Sequence, residues 1–326
     1  MKLSIIVAMF NAELYIKRCL ESIYNKNSLD YDDFEVIVID DGSTDKSSEI
    51  VLSLQVKFSN IILLKKDNGG QSSARNMGFK RATGKYILCL DSDDYIEGDK
   101  LDYLLNRVLL NNNDIIAFDC RVVDYQSNLI SEQLFNYKVK ESENISIDEF
   151  CKKTIILGAM CFYFYKRSVI LENNLYLHEG IKLEDEEFVT LFFSYSKTIS
   201  YYKEILYNYR KHEASTTNIS DREHKVRLMF NLLEVLKVLK KRSNELNGNG
   251  NDDLSKDIVD YKIQQLTSSL IINLFKNKVN KNDRMSIING LYEYKLFPII
   301  ISKISSFKHK LFSYFLNFNR WLTLLF

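Results

Sequence analysis

The sequence predicts an α/β protein built on a buried parallel sheet, and three observations lead to this fold class. Four short apolar runs rich in β-branched residues occupy the first part of the chain: Leu3–Ala8, Phe34–Ile39, Ile61–Leu64 and Tyr86–Leu90. Stretches of helical periodicity separate these runs. Strands that alternate with helices need right-handed crossovers, which cover both faces of a parallel sheet. This layout is typical of nucleotide-binding proteins.

Length and composition are those of a globular protein. The chain has 326 residues, of which 46% are hydrophobic and 27% charged. These values exclude collagen-like, disordered and disulfide-scaffold classes. The longest stretch without a charged side chain is Ile263–Phe275, 13 residues long, whereas a spanning helix needs about 20 residues. The apolar run Leu3–Phe10 is interrupted by Asn11 and Glu13 and no small-residue cleavage site follows it. We therefore expect neither a secretory signal nor a membrane-spanning helix.

The middle of the chain continues the sheet less regularly. Leu101–Leu110 and Asp185–Ser196 have helical periodicity, and Ile115–Asp124 and Cys161–Tyr165 read as strands. Ile199–Tyr209 alternates and is aromatic, which predicts a strand or hairpin covering one edge of the sheet. The five cysteines are scattered and form no Cys-x-x-Cys pair, so we expect reduced core residues in a cytosolic protein.

A charge asymmetry divides the chain near residue 220. Residues 1–220 carry 26 basic and 33 acidic side chains, a net −7, whereas residues 221–326 carry 18 and 10, a net +8. Asn244–Asp253 reads as a turn or linker, and Leu254–Phe326 has a helical pattern. On composition alone, the basic part of the chain could bind either nucleic acid or anionic lipid. Nucleic acid is disfavoured because the charges alternate with Ile, Leu and Phe.

Acidic residues follow two of the predicted strands, where open α/β sheets bind ligands. Asp40 and Asp41 follow the second strand. A carboxylate here can accept a hydrogen bond from a nucleobase or a ribose hydroxyl; the alternative is an acidic loop that caps the next helix. Asp91, Asp93 and Asp94 end the fourth strand. Three carboxylates this close repel one another unless a cation compensates. The oxygen ligands suit Mg²⁺ or Mn²⁺ bridging to a diphosphate, although a solvated turn is the alternative.

Two further segments have a structural and a functional interpretation. Gly69 and Gly70 precede a helix that carries Arg75 in its first turn, which suits an anionic ligand but also describes a turn with a surface arginine. Glu184 and Asp185 open the last predicted helix of this region. They complement its dipole, or one of them acts as a general base.

Taken in order, these segments resemble glycosyltransferase family 2, and among its members the bacterial capsule and cell-surface polysaccharide transferases. The resemblance runs from Lys2 to about Thr217 and rests on Met9-Phe10-Asn11, DDGSTD (40–45), GGQSSARNMG (69–78), GKYILCLDSDD (84–94), LEDEEF (183–188) and YRKHEAST (209–216). The family usually has Pro-x-Tyr-Asn where this chain has Met9 and Phe10. That departure affects the shape of the nucleotide loop rather than the chemistry.

The resemblance implies a GT-A nucleotide-sugar-binding fold in residues 1–220, a helical extension in residues 221–326, and a role for each matching residue. Asp41 would contact uracil, with Asn11 and Asp40 near the base. Arg75 would lie near the diphosphate, Asp91 would contact ribose or sugar, and Asp93 would bind Mn²⁺ or Mg²⁺. Asp185 would be the catalytic base, with Glu184 beside it, and the remaining three residues would contact the diphosphate or donor sugar: Arg210, His212 and Ser215.

The implied activity is inverting transfer of a hexose or N-acetylhexosamine from a UDP-sugar to a hydroxyl of a glycan, free or lipid-linked, in surface polysaccharide synthesis. The alternative is a nonenzymatic nucleotide-sugar-binding or regulatory protein on the same fold. We expect a cytoplasmic protein that binds no nucleic acid. Residues 262–326 carry ten basic and two acidic side chains, which favours peripheral binding to an anionic membrane. The alternative is packing on the catalytic domain or on a second copy of the chain.

Overall fold

The computed structural model describes residues 1–131, 140–154, 156–212, 221–248, 253–277, 279–299, 301–302, 305 and 307–318. The strands within them are β1 (Leu3–Met9), β2 (Phe34–Asp40), β3 (Ile61–Lys65), β4 (Tyr86–Asp91), β5 (Tyr95–Ile96), β6 (Ile115–Val123), β7 (Leu129–Ser131), β8 (Ser142–Ser146), β9 (Tyr163–Lys166) and β10 (Thr198–Arg210). The α-helices are α1 (Ile16–Tyr24), α2 (Ser47–Gln55), α3 (Gln71–Arg81), α4 (Gly98–Asn111), α5 (Ile147–Lys153), α6 (Arg167–Glu172), α7 (Glu184–Tyr195), α8 (Arg222–Gly248), α9 (Asp253–Lys276), α10 (Lys281–Glu293) and α11 (Phe307–Phe318).

The first half of the sheet confirms the predicted parallel arrangement. Strands β3, β2, β1 and β4 lie side by side in this order, and all three pairings are parallel. Met9 pairs with Asp40 and Ala8 with Asp91, so the carboxyl ends of β1, β2 and β4 are level. All seven residues of β2 are buried, as expected for a strand covered on both faces. The loops that follow these strands therefore share one edge of the sheet.

Helix α3 packs unusually close to the sheet because of one glycine. A Cβ at Gly78 would lie 2.5 Å from Cγ2 of Ile6 and 3.0 Å from Cδ1 of Ile39. A contact below 3 Å forces a neighbour to move, and both neighbours are buried side chains of β1 and β2. Glycine at this position thus sets the distance between α3 and the sheet, and with it the position of the first turn of α3.

The second half of the sheet is mixed. Strand β9 lies antiparallel between β4 and β6, and β6 pairs in parallel with β10. The predicted strand at Cys161–Tyr165 begins instead as a 3-10 turn, Met160–Phe162, before β9. The prediction that Ile199–Tyr209 covers a sheet edge is wrong. Strand β10 pairs with β6 on one side and with the short strands β5 and β8 on the other, so its backbone is paired on both sides and most of its aromatic side chains are buried.

The chain divides into two compact units. The sheet unit comprises Met1–Phe150, Ala159–Gly180 and Ser196–Ser215. The helical unit comprises Cys151–Gly158, Ile181–Tyr195 and Thr216–Phe326, and it contains α7 as well as α8 to α11. The five cysteines, distributed over both units, are all buried, as predicted for core residues.

The helical unit has its own apolar core. Its centre is formed by α8, α9 and α10, and Leu236, Leu239 and Leu270 are fully buried there. Helix α8 continues to Gly248, so the first part of the predicted turn Asn244–Asp253 is helical; residues 249–252 lie outside the described residues. Among the described helices, none is both long enough and apolar enough to cross a membrane.

Candidate active site

Asp40 and Asn11 fasten two loops at the carboxyl edge of the sheet. The backbone N–H of Ser43 donates to Oδ1 of Asp40 at 2.8 Å, and the hydroxyl of Ser48 donates to Oδ2. The backbone N–H of Asn11 donates to Oγ of Ser43 at 3.0 Å, and Oδ1 of Asn11 accepts from Thr44 N–H at 2.9 Å. Asn11 has a φ of 47°, a left-handed conformation that asparagine tolerates. Both residues thus shape the loops that follow β1 and β2.

Asp41 lies at the end of β2 and is 3% exposed. Its Oδ1 accepts from Nζ of Lys66 at 2.7 Å and from Gly69 N–H at 3.0 Å, while Oδ2 accepts from Gly70 N–H at 2.8 Å. Charge-assisted bonds of this kind are strong. They fasten the loop after β3 to the end of β2. The predicted contact of Asp41 with a nucleobase stays a prediction.

Gly70 allows the chain to turn sharply into α3. Its φ is +87° and it is the N-cap residue of the helix. A residue with a Cβ would be strained in this conformation. The turn directs the first residue of α3 toward the end of β4, where Nε2 of Gln71 donates to Oδ1 of Asp91 at 3.2 Å.

Arg75 and Asp91 form an ion pair between α3 and the end of β4. Nη2 of Arg75 donates to Oδ1 of Asp91 at 2.6 Å, and the arginine is 3% exposed. The side chain of Asp91 keeps 25% of its surface accessible. The arginine that was predicted to lie near a diphosphate is therefore buried and holds the carboxylate, and the carboxylate itself stays accessible to a ligand.

Asp93 contacts His212, which the sequence places far away. Oδ2 of Asp93 lies 2.8 Å from Nε2 of His212, and 35% of the Asp93 side chain is exposed. Burial raises the pKa of the Asp93 carboxyl, as does the charge of Asp91, and the His212 hydrogen bond opposes that shift. A destabilised carboxylate beside an imidazole favours a bound cation, which would relieve the repulsion.

The donor set of this pair suits a divalent cation. Carboxylate oxygen is a preferred ligand of Mn²⁺ and Mg²⁺, and imidazole nitrogen is a common ligand of divalent transition metals. No group of three His, Cys, Asp or Glu side chains in the described ranges is arranged to hold a metal. Two protein ligands nevertheless fit a site that is completed by substrate phosphates and water, as Mg²⁺ sites commonly are. Asp93 and His212 therefore fit the implied Mn²⁺ or Mg²⁺.

Asp94 connects the end of β4 to β10 and was not selected from the sequence as a site residue. It is 1% exposed. Tyr207 donates its hydroxyl hydrogen to Oδ2 at 2.6 Å, and the backbone N–H of Arg210 donates to Oδ1 at 2.7 Å. Burial and the charge of Asp93 raise the pKa of the Asp94 carboxyl. Asp94 thereby fixes the acidic loop against the strand that carries Arg210 and leads to His212.

Arg210 is buried, at 3% exposure, among aromatic rings. Its guanidinium carbon lies 5.2 Å from the ring centre of Tyr15 and 5.4 Å from that of Tyr95. Its Nε and Nη2 have no hydrogen-bond partner among the residues that the structure describes. Tyr15 also stacks on His212 at 4.8 Å. A buried arginine with unsatisfied N–H groups can bind an anion such as a diphosphate.

Glu184 and Asp185 belong to the helical unit, in the first turn of α7. Glu184 is 6% exposed, and Asp185 is half-buried. The next residue, Glu186, pairs with Nζ of Lys262 at 2.5 Å. That lysine on α9 is 4% exposed and also donates to the carbonyl oxygen of Ile156 at 2.9 Å. A buried ion pair thus anchors the turn that carries Asp185.

The predicted site residues therefore fall into three groups. The sheet unit brings Asn11, Asp40 and Asp41 to neighbouring loops and joins two further pairs, Arg75 with Asp91 and Asp93 with His212. Arg210 belongs to the same unit. Glu184 and Asp185 lie in the helical unit. Ser215 lies outside the described residues. Tyr15 and Tyr207 were missed, and Asp94 was counted among the three carboxylates but given no role of its own, because neither an aromatic residue nor a third aspartate gives a sequence signal of which side chain it will contact.

Comparisons with known proteins point to one family. The sequence model described as Glycosyl transferase family 2 matches residues 4–172. The Minor teichoic acid biosynthesis protein GgaB of Bacillus subtilis is 32% identical over 64% of this chain. The Poly(ribitol-phosphate) beta-glucosyltransferase of Bacillus spizizenii is 31% identical over 59% of it. The matched part spans 23% of the first relative and 29% of the second, so both are much longer proteins.

Solved structures share the fold. S. aureus TarS residues 1–349 in complex with UDP-GlcNAc align with a TM-score of 0.72 over 90% of this chain and 80% of that chain, at 22% identity. The mannosyltransferase PcManGT of Pyrobaculum calidifontis, in complex with GDP-Man and Mn²⁺, aligns with a TM-score of 0.54 over 97% of this chain and 87% of that chain, at 15% identity. At these identities the likeness establishes the fold alone.

Proposed function

The chain belongs to glycosyltransferase family 2, and from this premise we propose that it transfers a sugar from a UDP-sugar to a hydroxyl of a cell-surface polymer. The observation that carries the proposal is the pairing of Asp93 with His212 at 2.8 Å, beside the Arg75–Asp91 ion pair and the buried Arg210. Acidic metal-binding groups and cationic groups together suit a sugar linked to a diphosphate. The alternative of a nonenzymatic binding protein has no observation in its favour.

Uracil is the proposed base of the donor. The donor loops after β1, β2 and β3 match the family order, and TarS, which has the same fold, is described in complex with UDP-GlcNAc. Asp41 would accept a hydrogen bond from N3–H of uracil. Its carboxylate would then either accept this bond together with those from Gly69 and Gly70 or give up one of them. The sugar is proposed to be a hexose or N-acetylhexosamine.

The proposed reaction is a direct displacement at the anomeric carbon. Asp185 accepts the proton of the acceptor hydroxyl as the hydroxyl oxygen attacks. The bond between the anomeric carbon and the diphosphate oxygen breaks, and UDP leaves with its electron pair. Because one displacement inverts configuration, an α-linked donor yields a β-glycoside. Arg210 would donate its unsatisfied N–H groups to the diphosphate.

Asp93 and His212 would hold the divalent cation. When bound, Mn²⁺ or Mg²⁺ offsets the negative charge that develops on the leaving diphosphate. Asp94 keeps Asp93 beside His212, since it hydrogen-bonds both Tyr207 and the backbone of Arg210. The test of the proposed function is a panel of nucleotide sugars, for which we expect release of UDP from at least one UDP-sugar but no release of GDP from GDP-sugars or of ADP from ADP-sugars.

Peripheral membrane binding is proposed for α11. Three side chains on this helix are more than half exposed: Leu311 at 60%, Tyr314 at 61% and Phe315 at 56%. Two other apolar residues of the basic C-terminal region, Phe297 and Ile299, do not contribute, since they are buried in the helical core. An exposed apolar face near basic residues fits a helix that lies in the interface of an anionic membrane.

We predict that Leu311→Ser combined with Phe315→Ser releases the protein from anionic liposomes. The pair removes one large aliphatic and one large aromatic side chain from the exposed face of α11, while the basic residues stay in place. The measurement is sedimentation with anionic vesicles at low and high salt, with Leu110→Ser as control, because Leu110 on α4 is 82% exposed. Wild-type protein that stays in the supernatant at low salt contradicts the membrane assignment and favours packing on protein.

A further inference from the structure

A cavity of about 820 Å³ opens beside α1 in the sheet unit. It extends from Tyr95, near the end of β4, to Phe34, the first residue of β2. Its volume lies in the range of about 300–1,000 Å³ that is typical of ligand sites. Of the residues that line it, only Tyr95 also contacts a residue of the proposed donor site, the buried Arg210. The cavity therefore needs a separate explanation.

Aromatic rings form part of the wall. Tyr24 and Phe58 stack with their ring centres 3.7 Å apart, and Tyr31 is 42% exposed. A half-open aromatic surface gives a chain of polyol or sugar units an apolar face to lie against. Such rings alone do not identify the ligand. The charged side chains around them indicate which class of ligand fits.

Three cations surround the cavity, and all three are exposed: Arg18, Lys26 and Lys57. The guanidinium carbon of Arg18 lies 4.2 Å from the ring centre of Tyr95, and Nζ of Lys57 lies 4.8 Å from that of Phe58. No acidic side chain of the described ranges forms an ion pair with any of the three. A guanidinium stacked on a ring keeps its N–H edge available to an anion.

The acidic residues of the lining do not cancel these charges. Glu97 accepts from Nδ2 of Asn208 at 3.1 Å and lies 3.8 Å from Nη1 of Arg121, so its charge is already compensated. Glu21 is the remaining acidic lining residue. The cavity therefore presents net positive charge within a part of the chain, residues 1–220, that carries a net −7. A local cationic site on an acidic surface selects a ligand with spaced anionic groups rather than a continuous polyanion such as nucleic acid.

The cavity and the donor site share one residue. Tyr95 contacts Arg18 at the cavity, and its ring centre is also 5.4 Å from the guanidinium carbon of the buried Arg210. A polymer bound in the cavity would thus be separated from the proposed diphosphate site by the side chain of Tyr95. This continuity connects the cavity with the substrate of the reaction rather than with an unrelated partner.

We propose that the cavity binds a phosphate-bearing segment of the acceptor polymer, remote from the hydroxyl that is glycosylated. The inference rests on the proposed transferase function, whose acceptor it specifies. Phosphodiester groups would contact Arg18, Lys26 and Lys57, and the polyol between them would lie on the ring of Tyr31. The similarity to a poly(ribitol-phosphate) transferase is consistent with such a polymer.

The test measures binding of a synthetic ribitol-phosphate hexamer to the full chain by calorimetry. The triple variant Arg18→Gln, Lys26→Gln, Lys57→Gln should weaken binding about tenfold, because each exposed ion pair is worth about twofold. A matched control triple variant changes exposed lysines outside the cavity: Lys17→Gln, Lys65→Gln and Lys80→Gln. It should leave the affinity unchanged, and neither triple variant should alter release of UDP from the donor in the absence of acceptor.

Three results would overturn the proposal: equal affinity in the cavity variant and the wild type, equally tight binding of neutral chitohexaose, or equally tight binding of an oligouridylate hexamer. The last result would favour an RNA ligand. These outcomes are distinguishable from failure of the proposed function. Absence of UDP release by the wild type with every UDP-sugar would contradict the transferase assignment. Hexamer binding is measured by calorimetry without turnover, so its result tests the cavity separately.

Discussion

Replacing Asp185 by asparagine is expected to reduce the turnover number by about 10²–10⁴-fold, the usual contribution of a positioned general base. The amide is nearly the same size as the carboxylate but cannot accept the proton of the acceptor hydroxyl. Its neighbour Glu186 stays paired with Lys262, so the first turn of α7 should keep its position. The affinity for UDP should change little, because a base acts mainly in the transition state.

The measurement is the turnover number with saturating donor and acceptor, together with UDP affinity by calorimetry. Glu184→Gln is the matched comparison, since it removes the adjacent carboxylate from the same helical turn. We expect a milder loss, because successive residues of a helix point about 100° apart and only one of them can face the acceptor. If Asp185→Asn lowers UDP affinity as much as turnover, Asp185 binds the donor or is structural.

Replacing Asp93 by asparagine has the second largest expected effect, a loss of about 10²–10³-fold in turnover. Asparagine keeps the shape but removes the charge that would attract the cation beside His212. The fold should persist, because Asp94 rather than Asp93 makes the buried hydrogen bonds to β10. Mn²⁺ affinity, measured by electron paramagnetic resonance without substrate, should fall in parallel.

The control for this variant is Asp99→Asn, which removes an exposed carboxylate from the first turn of α4. It should leave both Mn²⁺ affinity and turnover unchanged. Wild-type Mn²⁺ affinity in Asp93→Asn would mean that the cation binds elsewhere. If turnover were lost while this affinity was unchanged, Asp93 would contact the substrate rather than the cation.

The regular part of the fold could be predicted because its signals are local. The apolar runs of β1 to β4 are short and separated by helical periodicity, and a parallel register follows from the crossovers. That register also places the residues after each strand at one edge of the sheet. Asp41, Gly70 and Asp91 could therefore be grouped from the sequence alone.

The remaining contacts depend on tertiary packing, which a single sequence does not encode locally. Asp94 is one of three neighbouring aspartates, and only its burial against Tyr207 distinguishes it from Asp93. Tyr15 and Arg210 are 195 positions apart in the chain, yet the guanidinium carbon lies 5.2 Å from the ring centre. No periodicity links residues across such a separation.

The helical region illustrates the same limit. Its basic and apolar residues predict an interfacial segment, but Phe297 and Ile299 pack in the core of the helical unit while Leu311 and Phe315 are exposed. Likewise, α7 reads as part of the nucleotide-binding region, whereas it packs with α8 and α9. Amphipathic patterns indicate which residues can be buried, and the partner helix decides which ones are.

The most direct test of the transferase assignment is mass spectrometry of an acceptor incubated with the wild-type chain, Mn²⁺ and a panel of nucleotide sugars. We expect a mass increase of one hexose or N-acetylhexosamine with at least one UDP-sugar, an equimolar release of UDP, and neither result with Asp185→Asn. Transfer from a GDP-sugar in preference to every UDP-sugar would contradict the assigned donor. UDP-sugar binding without transfer to any polyol-phosphate or glycan acceptor would contradict the transferase assignment itself.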